Sequence, residues 1–539
     1  MSRSHPLAIL FAAALLVAAA CSAPTAPGTS GSAAPSATGG QAGTLVYYAD
    51  VSDLISLDPA VAYEFSGVLL VHNAYETLVQ FQGSDLSNLK PALATKWDIK
   101  DAGSNWQISF DLRSGAKFAS GNPITADDVV YSLQRVIKLN KSPAFLFTDI
   151  AQLKADSVTA SGANTVVITM PKTASPQGLL SILTFTVGSV VDSKEVKSHE
   201  TGGDSGSAWL LDRSAGSGPY NIDHWTKNAE VLLKANASYG GTKPNLSQIL
   251  IKHVPESTNQ QFALERGDAD VARNLSPQQI AAEQGKQGVT TTKGDSLQLV
   301  YVGMNVMMKP LDNVKVREAL RSAIDYNGIV NDLLKGNAKK VQGIVPAGLA
   351  GHNPDAPFQQ DVSKAKSLLA EGGQPNGFST ELLVPTGPAP GGAQWSDVAA
   401  KLQDDWKKIG VNVQIKQTTQ AELLTTYRAQ KGQLVLILWG PDFPDPDANA
   451  GPFTDYAAKS IAWRNGWNDT TIADKAKKAA LITDASARNT AYKEITDYVL
   501  HNGPYAVLYQ PTENFGLRSN VKGFAWNPMG YLDFAAITK

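Results

Sequence analysis

Hydrophobic and polar positions first alternate near the start of the chain and then settle into a more regular rhythm in its second half. Leu45-Val46-Tyr47-Tyr48 is an apolar run of strand length. Trp106, Ile108, Phe110 and Leu112 alternate with polar neighbours, the period of a half-buried strand. Gly121-Asn122-Pro123 marks a turn, and Thr125 with Asp128 three residues on predicts a capped helix whose stripe is Val129, Leu133, Val136 and Ile137. Val166-Val167-Ile168 reads as another strand. Further on, Asp312 or Asn313 is expected to cap a helix carrying Val316, Leu320, Ala323, Ile324 and Leu333, with Gly336 past its end. A strand at Leu382-Leu383-Val384 is followed by a helix capped by Ser396, bearing Val398, Leu402, Trp406 and Ile409 and stopped by Gly410. Val411, Val413 and Ile415 alternate as a strand, residues 420–431 read as a helix, and Leu434 to Trp439 is an apolar strand. Strand, helix, strand, helix, strand with short connections implies a parallel sheet. Ligands of such sheets bind beyond the carboxyl ends of the strands, which directs attention to Trp439-Gly440-Pro441-Asp442.

At 539 residues the chain exceeds what one core fills, so two or three lobes are expected. Lys and Arg (47) nearly balance Asp and Glu (49), which lacks the basic footprint of a nucleic-acid binder. The single cysteine, Cys21, has no intramolecular disulfide partner. It follows Arg3, an apolar stretch from Leu7 to Ala20 and small residues, the layout of a signal peptide over 1–20. Ala18-Ala19-Ala20-Cys21 is similar to a lipoprotein processing site, although Ala18 stands where Leu is usual. Lipidation of Cys21 and simple cleavage to a free exported protein both fit. Residues 21–43, almost all Ser, Ala, Pro, Thr and Gly, bury too little apolar area to order themselves and read as a flexible tether.

Several strings that resemble enzyme or metal motifs lack their context. Gly203-Asp204-Ser205-Gly206 spells a protease-like loop without a matching His or Asp neighbourhood. Arg266-Gly267-Asp268 fits the turn after a helix, and Gly216-Ser217-Gly218 lacks phosphate-cradling spacing. Asp445, Asp447 and Asn449 imitate a calcium loop, but Tyr456 occupies the position of its bidentate Glu. Seven scattered histidines include no pair at metal-ligand spacing. No cofactor, metal or catalytic residue is therefore expected.

The order of further short motifs resembles the extracellular solute-binding proteins of family 5, the peptide- and nickel-binding group that serves ABC importers. The pieces are Leu57-Asp58-Pro59-Ala60 with Tyr75-Glu76-Thr77-Leu78, Phe110-Asp111-Leu112-Arg113 with Thr125-Ala126-Asp127-Asp128-Val129, Gly218-Pro219-Tyr220, Val316-Arg317-Glu318-Ala319-Leu320, and Trp439 through Pro446. The resemblance implies an α/β, periplasmic-binding-protein-like fold: two lobes joined by a hinge, with an extra domain inserted in the N-terminal lobe. Domain I would comprise 44–82, 213–303 and 514–539, domain II 83–212, and domain III 304–513. The hinge would run near Val302 to Asn305 and Pro511 to Asn514. The chain would be a monomer that captures a small-molecule or peptide ligand and hands it to a membrane permease. Its location would be the outer face of the cytoplasmic membrane, through the lipid anchor, or the periplasm.

By the same resemblance Asp442 would hold a ligand's α-ammonium, the alternative being that it caps the following turn. Tyr63, Glu64 and Phe65 match a cleft-lining segment and are otherwise lobe packing. Trp439, Trp463 and Trp467 flank the site as ligand contacts or as core. A departure lies at Pro385-Thr386-Gly387-Pro388-Ala389-Pro390, where dipeptide-selective relatives carry an Arg and this chain carries no cation. That leaves room for longer peptides, amino-bearing solutes or oligosaccharides, with the tryptophans as stacking platforms. A nickel or haem carrier and a secreted hydrolase are the remaining alternatives.

Overall fold

The computed structural model describes residues 43–539. The signal-peptide reading, Cys21 and the tether except Gly43 lie outside the described residues.

A mixed sheet of twelve strands runs through the molecule. Its main path is, in order, Asn412–Thr418, Ser379–Pro385, Leu434–Trp439, Leu299–Met304, Tyr505–Arg518, Val271–Arg273, Thr44–Ala49, Gln248–His253, Glu230–Ala235 and Tyr220–Thr226. The three strands that the helix–strand rhythm predicted do pair in parallel, Ser379–Pro385 lying between the other two. The sheet then turns antiparallel at Leu299–Met304, which pairs on both edges. Its chain enters from the other half of the molecule and not through a crossover helix, so nothing forces it parallel.

The fourteen-residue strand Tyr505–Arg518 belongs to both halves. Residues 505–509 pair with Leu299–Met304, and 512–518 pair with Val289–Asp295. The change of partner thus falls at 296–298 and 510–511. Val302–Asn305, where the hinge was expected, begins in a strand held on both sides.

A separate antiparallel sheet orders Ala94–Ala102, Asn105–Leu112, Thr165–Pro171 and Val158–Ala160. Ile108, Phe110 and Leu112 are buried on one face of its second strand, as alternation requires. The helix Ala126–Leu139 packs on this sheet, and the Asp128 carboxylate accepts from the Thr125 N–H at 2.9 Å and hydroxyl at 2.7 Å.

Three helix boundaries differ from expectation. By contrast Asn313, one of the two caps expected, does cap Val314–Ala323, accepting from the Lys315 N–H at 2.9 Å. That helix ends at Ala323 without reaching Leu333, because Asp325 starts a new turn by accepting from the Gly328 N–H at 2.8 Å. The helix Trp395–Lys407 begins before Ser396, with Asp397 accepting from the Gln394 N–H at 3.4 Å. A Thr419–Glu422 capping box opens the next helix, Gln420–Arg428, which stops short of 431.

One buried ion pair ties the Asp58 segment to the Ala126–Leu139 helix. Arg135 donates to both Asp58 oxygens at 2.7 Å, and neither side chain meets solvent appreciably. The Ser207 hydroxyl adds a third donor at 2.7 Å, and Arg135 Nε donates to the Ser205 carbonyl. The protease-like string at 203–206 is thus part of this anchor. Arg135→Leu should cost about 3–5 kcal/mol, since it strands a buried carboxylate. Urea denaturation measures it, and a loss below about 1 kcal/mol would show the pair to be dispensable.

Candidate functional site

The Asp58 anchor fixes the loop that follows it. Asp58 accepts from the Ala60 N–H at 3.0 Å, and the Ala62 carbonyl accepts from the Thr186 hydroxyl at 2.9 Å. Tyr63 leaves this braced loop between Phe145 and Phe185, meeting each edge to face at about 6 Å. Its hydroxyl donates to Asp442 Oδ1.

Asp442 reaches that point from the opposite side. The strand Leu434–Trp439 ends, Gly440 and Pro441 turn the chain, and Phe443 and Asp445 are buried behind the carboxylate. Asp445 binds Arg488 at 2.8 Å and accepts from the Asp447 N–H at 2.9 Å, so it locks the turn that presents Asp442. Burial raises the Asp442 carboxyl above its ordinary value, and the Tyr63 hydrogen bond offsets part of that rise. Burial, then the facing Asp442 charge, raises the Tyr63 phenol strongly.

A cavity of about 230 Å³ opens beside this pair. Tyr63, Phe65, Phe185, Arg273, Gln298, Asp442, Glu513, Trp526 and Met529 are on its wall. Phe65 is 51 % exposed and lies over Gly530, whose φ of +98° and missing Cβ permit that approach.

Of the seven ligand-site candidates, the structure brings Tyr63, Phe65 and Asp442 together on this wall. Glu64 instead turns back to accept from the Tyr63 N–H at 3.2 Å. Trp439 points the other way: its Nε1 donates to the Ala448 carbonyl at 3.3 Å and its ring packs edge-on against Phe453. Trp467 is buried against Tyr505. Trp463 pairs with Tyr456 under the Lys459 ammonium, 3.2 Å from its ring centroid. Sequence reasoning missed Arg273, Gln298, Glu513 and Trp526, all distant in sequence from Tyr63 and Asp442. The one signal available was Arg273, a cation closing the short apolar run Val271-Ala272. Among the described residues, no three His, Cys, Asp or Glu side chains gather as a metal site.

Comparison with known proteins gives this architecture a class. Residues 88–460 match the family described as bacterial extracellular solute-binding proteins, family 5 (middle). The chain belongs to that family of solute-binding proteins. It is 29 % identical to the probable D,D-dipeptide-binding periplasmic protein DdpA of Escherichia coli, over 89 % of this chain and 90 % of that one. It is 27 % identical to heme-binding protein A of Haemophilus influenzae over 98 % of each. The solved structure of HbpA2 from Haemophilus parasuis superposes with a TM-score of 0.82 at 26 % identity, covering 92 % of this chain and 99 % of that one. The periplasmic binding protein DppA from Helicobacter pylori, in complex with the peptide STSA, shares the fold at a TM-score of 0.73 and 24 % identity, covering 92 % and 98 %.

Tyr63→Phe removes a hydrogen bond that favours the ionised Asp442. The Asp442 carboxyl should then titrate at still higher pH, followed by carbon-13 NMR of side-chain carboxyls with Asp442→Asn for assignment. An unchanged titration would mean the Tyr63 contact does not tune this group.

Proposed function

We propose that this chain is the substrate-binding component of an ABC importer that captures peptides between two closing lobes and passes them to a membrane permease. The observation that carries the reading is Asp442. A carboxylate just past the carboxyl end of a sheet strand is half-buried on a cavity wall and bonded there to a tyrosine from a distant loop. A ligand ammonium there gains a charge-assisted hydrogen bond in a dry site, stronger than a neutral one. Relatives named for dipeptides, and a relative solved with a peptide, support the ligand class. Trp439, Trp463 and Trp467, the stacking platforms considered for a sugar, are not on the wall of this cavity, although Trp526 is.

The division at 44–82, 83–212, 213–303, 304–513 and 514–539 is part of the proposal, with two lobes closing about the strands that cross between them. It takes support from the change of strand partner at 296–298 and 510–511. Export by residues 1–20 and tethering through a lipidated Cys21 rest on the sequence pattern. Among the described residues no helix is long and apolar enough to cross a membrane. The role is binding without catalysis, so the ligand should be recovered intact.

Calorimetric titration with defined di- and tripeptide pools tests the reading. Asp442→Asn should weaken binding by about 1.5–3 kcal/mol, the scale of hydrogen bonds to charged groups. Affinity should be bell-shaped in pH. It should fall on the acid side at a pH above the ordinary carboxylate range, because the raised Asp442 carboxyl protonates there and loses its charge. It should fall again above about 8, where a peptide's α-amino group loses its proton. Peptide binding indifferent to both Asp442→Asn and pH would remove the ammonium assignment.

A further inference from the structure

The helix Phe65–Ala74 leaves the candidate site and runs along a second cavity, of about 430 Å³. Phe65, Val68 and His72 follow one another at helical spacing on one face, so this helix carries its wall from the first cavity into the second. Val68 and Phe185 line both cavities and are the wall residues that the two share. Both are buried. Phe185 stands edge-on to Tyr63, and the Thr186 hydroxyl beside it donates to the Ala62 carbonyl at 2.9 Å. The partition is therefore braced by the same loop that presents Tyr63.

The two compartments differ in chemistry. Around Asp442 the wall is Phe65, Phe185, Leu297, Pro441, Trp526 and Met529, and its other charges, Arg273 and Glu513, face one another at 3.7 Å. Beyond Val68 and Phe185 the wall carries the ion pairs Arg113–Glu76 at 3.0 Å and His72–Asp533 at 2.5 Å. The first side chain of a peptide branches from the carbon that bears its ammonium. With the ammonium on Asp442, that side chain is confined to what surrounds Asp442. An apolar group gains there by leaving water. A guanidinium loses its hydration there, where Asp442 holds the ammonium and Glu513 faces Arg273.

We propose that Val68 and Phe185 set specificity for the ligand's first side chain, holding it in the apolar compartment beside Asp442 and barring it from the charged one behind. This rests on the peptide reading above and adds to it a preference for an apolar N-terminal residue. The volume of about 230 Å³ on the Asp442 side, against about 430 Å³ beyond, makes the partition the limit on how far that side chain reaches.

The test is calorimetric titration with three tripeptides that differ in their first residue, Leu-Ala-Ala, Gly-Ala-Ala and Arg-Ala-Ala, all with free termini. Wild type should bind the leucine peptide roughly ten- to hundredfold more tightly than the glycine peptide, the range for burial of that side chain. It should bind the arginine peptide no more tightly than the glycine peptide. Val68→Ala thins the partition and leaves the Phe185–Tyr63 contact in place. It should tighten the arginine peptide roughly tenfold relative to the leucine peptide, the scale of one hydrogen bond to a charged group, as the guanidinium gains access to Glu76 and Asp533. Phe185→Leu should move the same ratio in the same direction. Leucine and glycine peptides bound alike by wild type overturn this inference alone and leave the peptide reading intact. A leucine-to-arginine ratio unmoved in both variants overturns the role of Val68 and Phe185. Binding of none of the three peptides overturns the peptide reading, and this inference with it. The wild-type series needs no variant, so a poorly folding substitution does not prevent a decision.

Discussion

The strand Tyr505–Arg518 is the constraint on which the site depends. Its first residues are paired with one half of the large sheet and its last with the other. The partner changes between 509 and 512, where Gln510 and Pro511 pair instead with Lys339 and Ala338. The cavity lies there. Ser296, Leu297 and Gln298 come from the companion crossing, Glu513 comes from the strand itself, and Arg273 pairs two residues beyond it. Asp442 follows Trp439, which pairs with Leu299 immediately after the crossing. The opposing walls of the site are therefore registered through a few backbone pairs. A small rotation at the crossing would open or close the cavity with both walls kept whole, as hinge closure requires.

Two buried ion pairs brace the loops around the cavity. Asp58 and Arg135 complete one another in a bidentate pair, with Ser207 and the Ser205 carbonyl filling the remaining capacity. Arg488 donates a single 2.8 Å bond to Asp445 behind the candidate site. Both pairs hold loops whose neighbours face the cavity, so desolvated charge serves there as a positioning device. Asp442 has one tyrosine donor and Arg273 a ring and a distant glutamate.

Much of the fold was legible in local pattern. The alternation in 106–112, the Thr125–Asp128 cap and the rhythm from 382 to 439 each correspond to observed elements, because periodicity reports burial directly. Boundaries set by capping were less so. The stripe running to Leu333 continued the helical period past a point where Asp325 bonds the Gly328 N–H and starts a new turn. At the site, Asp442 and Tyr63 were found through motif order, and the tryptophans were grouped with them by nearness in sequence. Trp439 is adjacent to the turn yet packs on Phe453 and is not on the cavity wall, and nearness along the chain does not state which groups a side chain meets.

The sequence by itself determined the α/β alternation, the parallel core of the second half, the lack of a phosphate-binding charge and the family of solute-binding proteins. The first three follow from spacing and composition, which act over a few neighbouring residues, and the last from the resemblance of its ordered short motifs. Tertiary structure alone decided that Tyr63 meets Asp442 and that Arg273 shares their cavity. Those residues lie hundreds of positions apart, and only the pairing of one long strand with both halves of the sheet sets the distances between them.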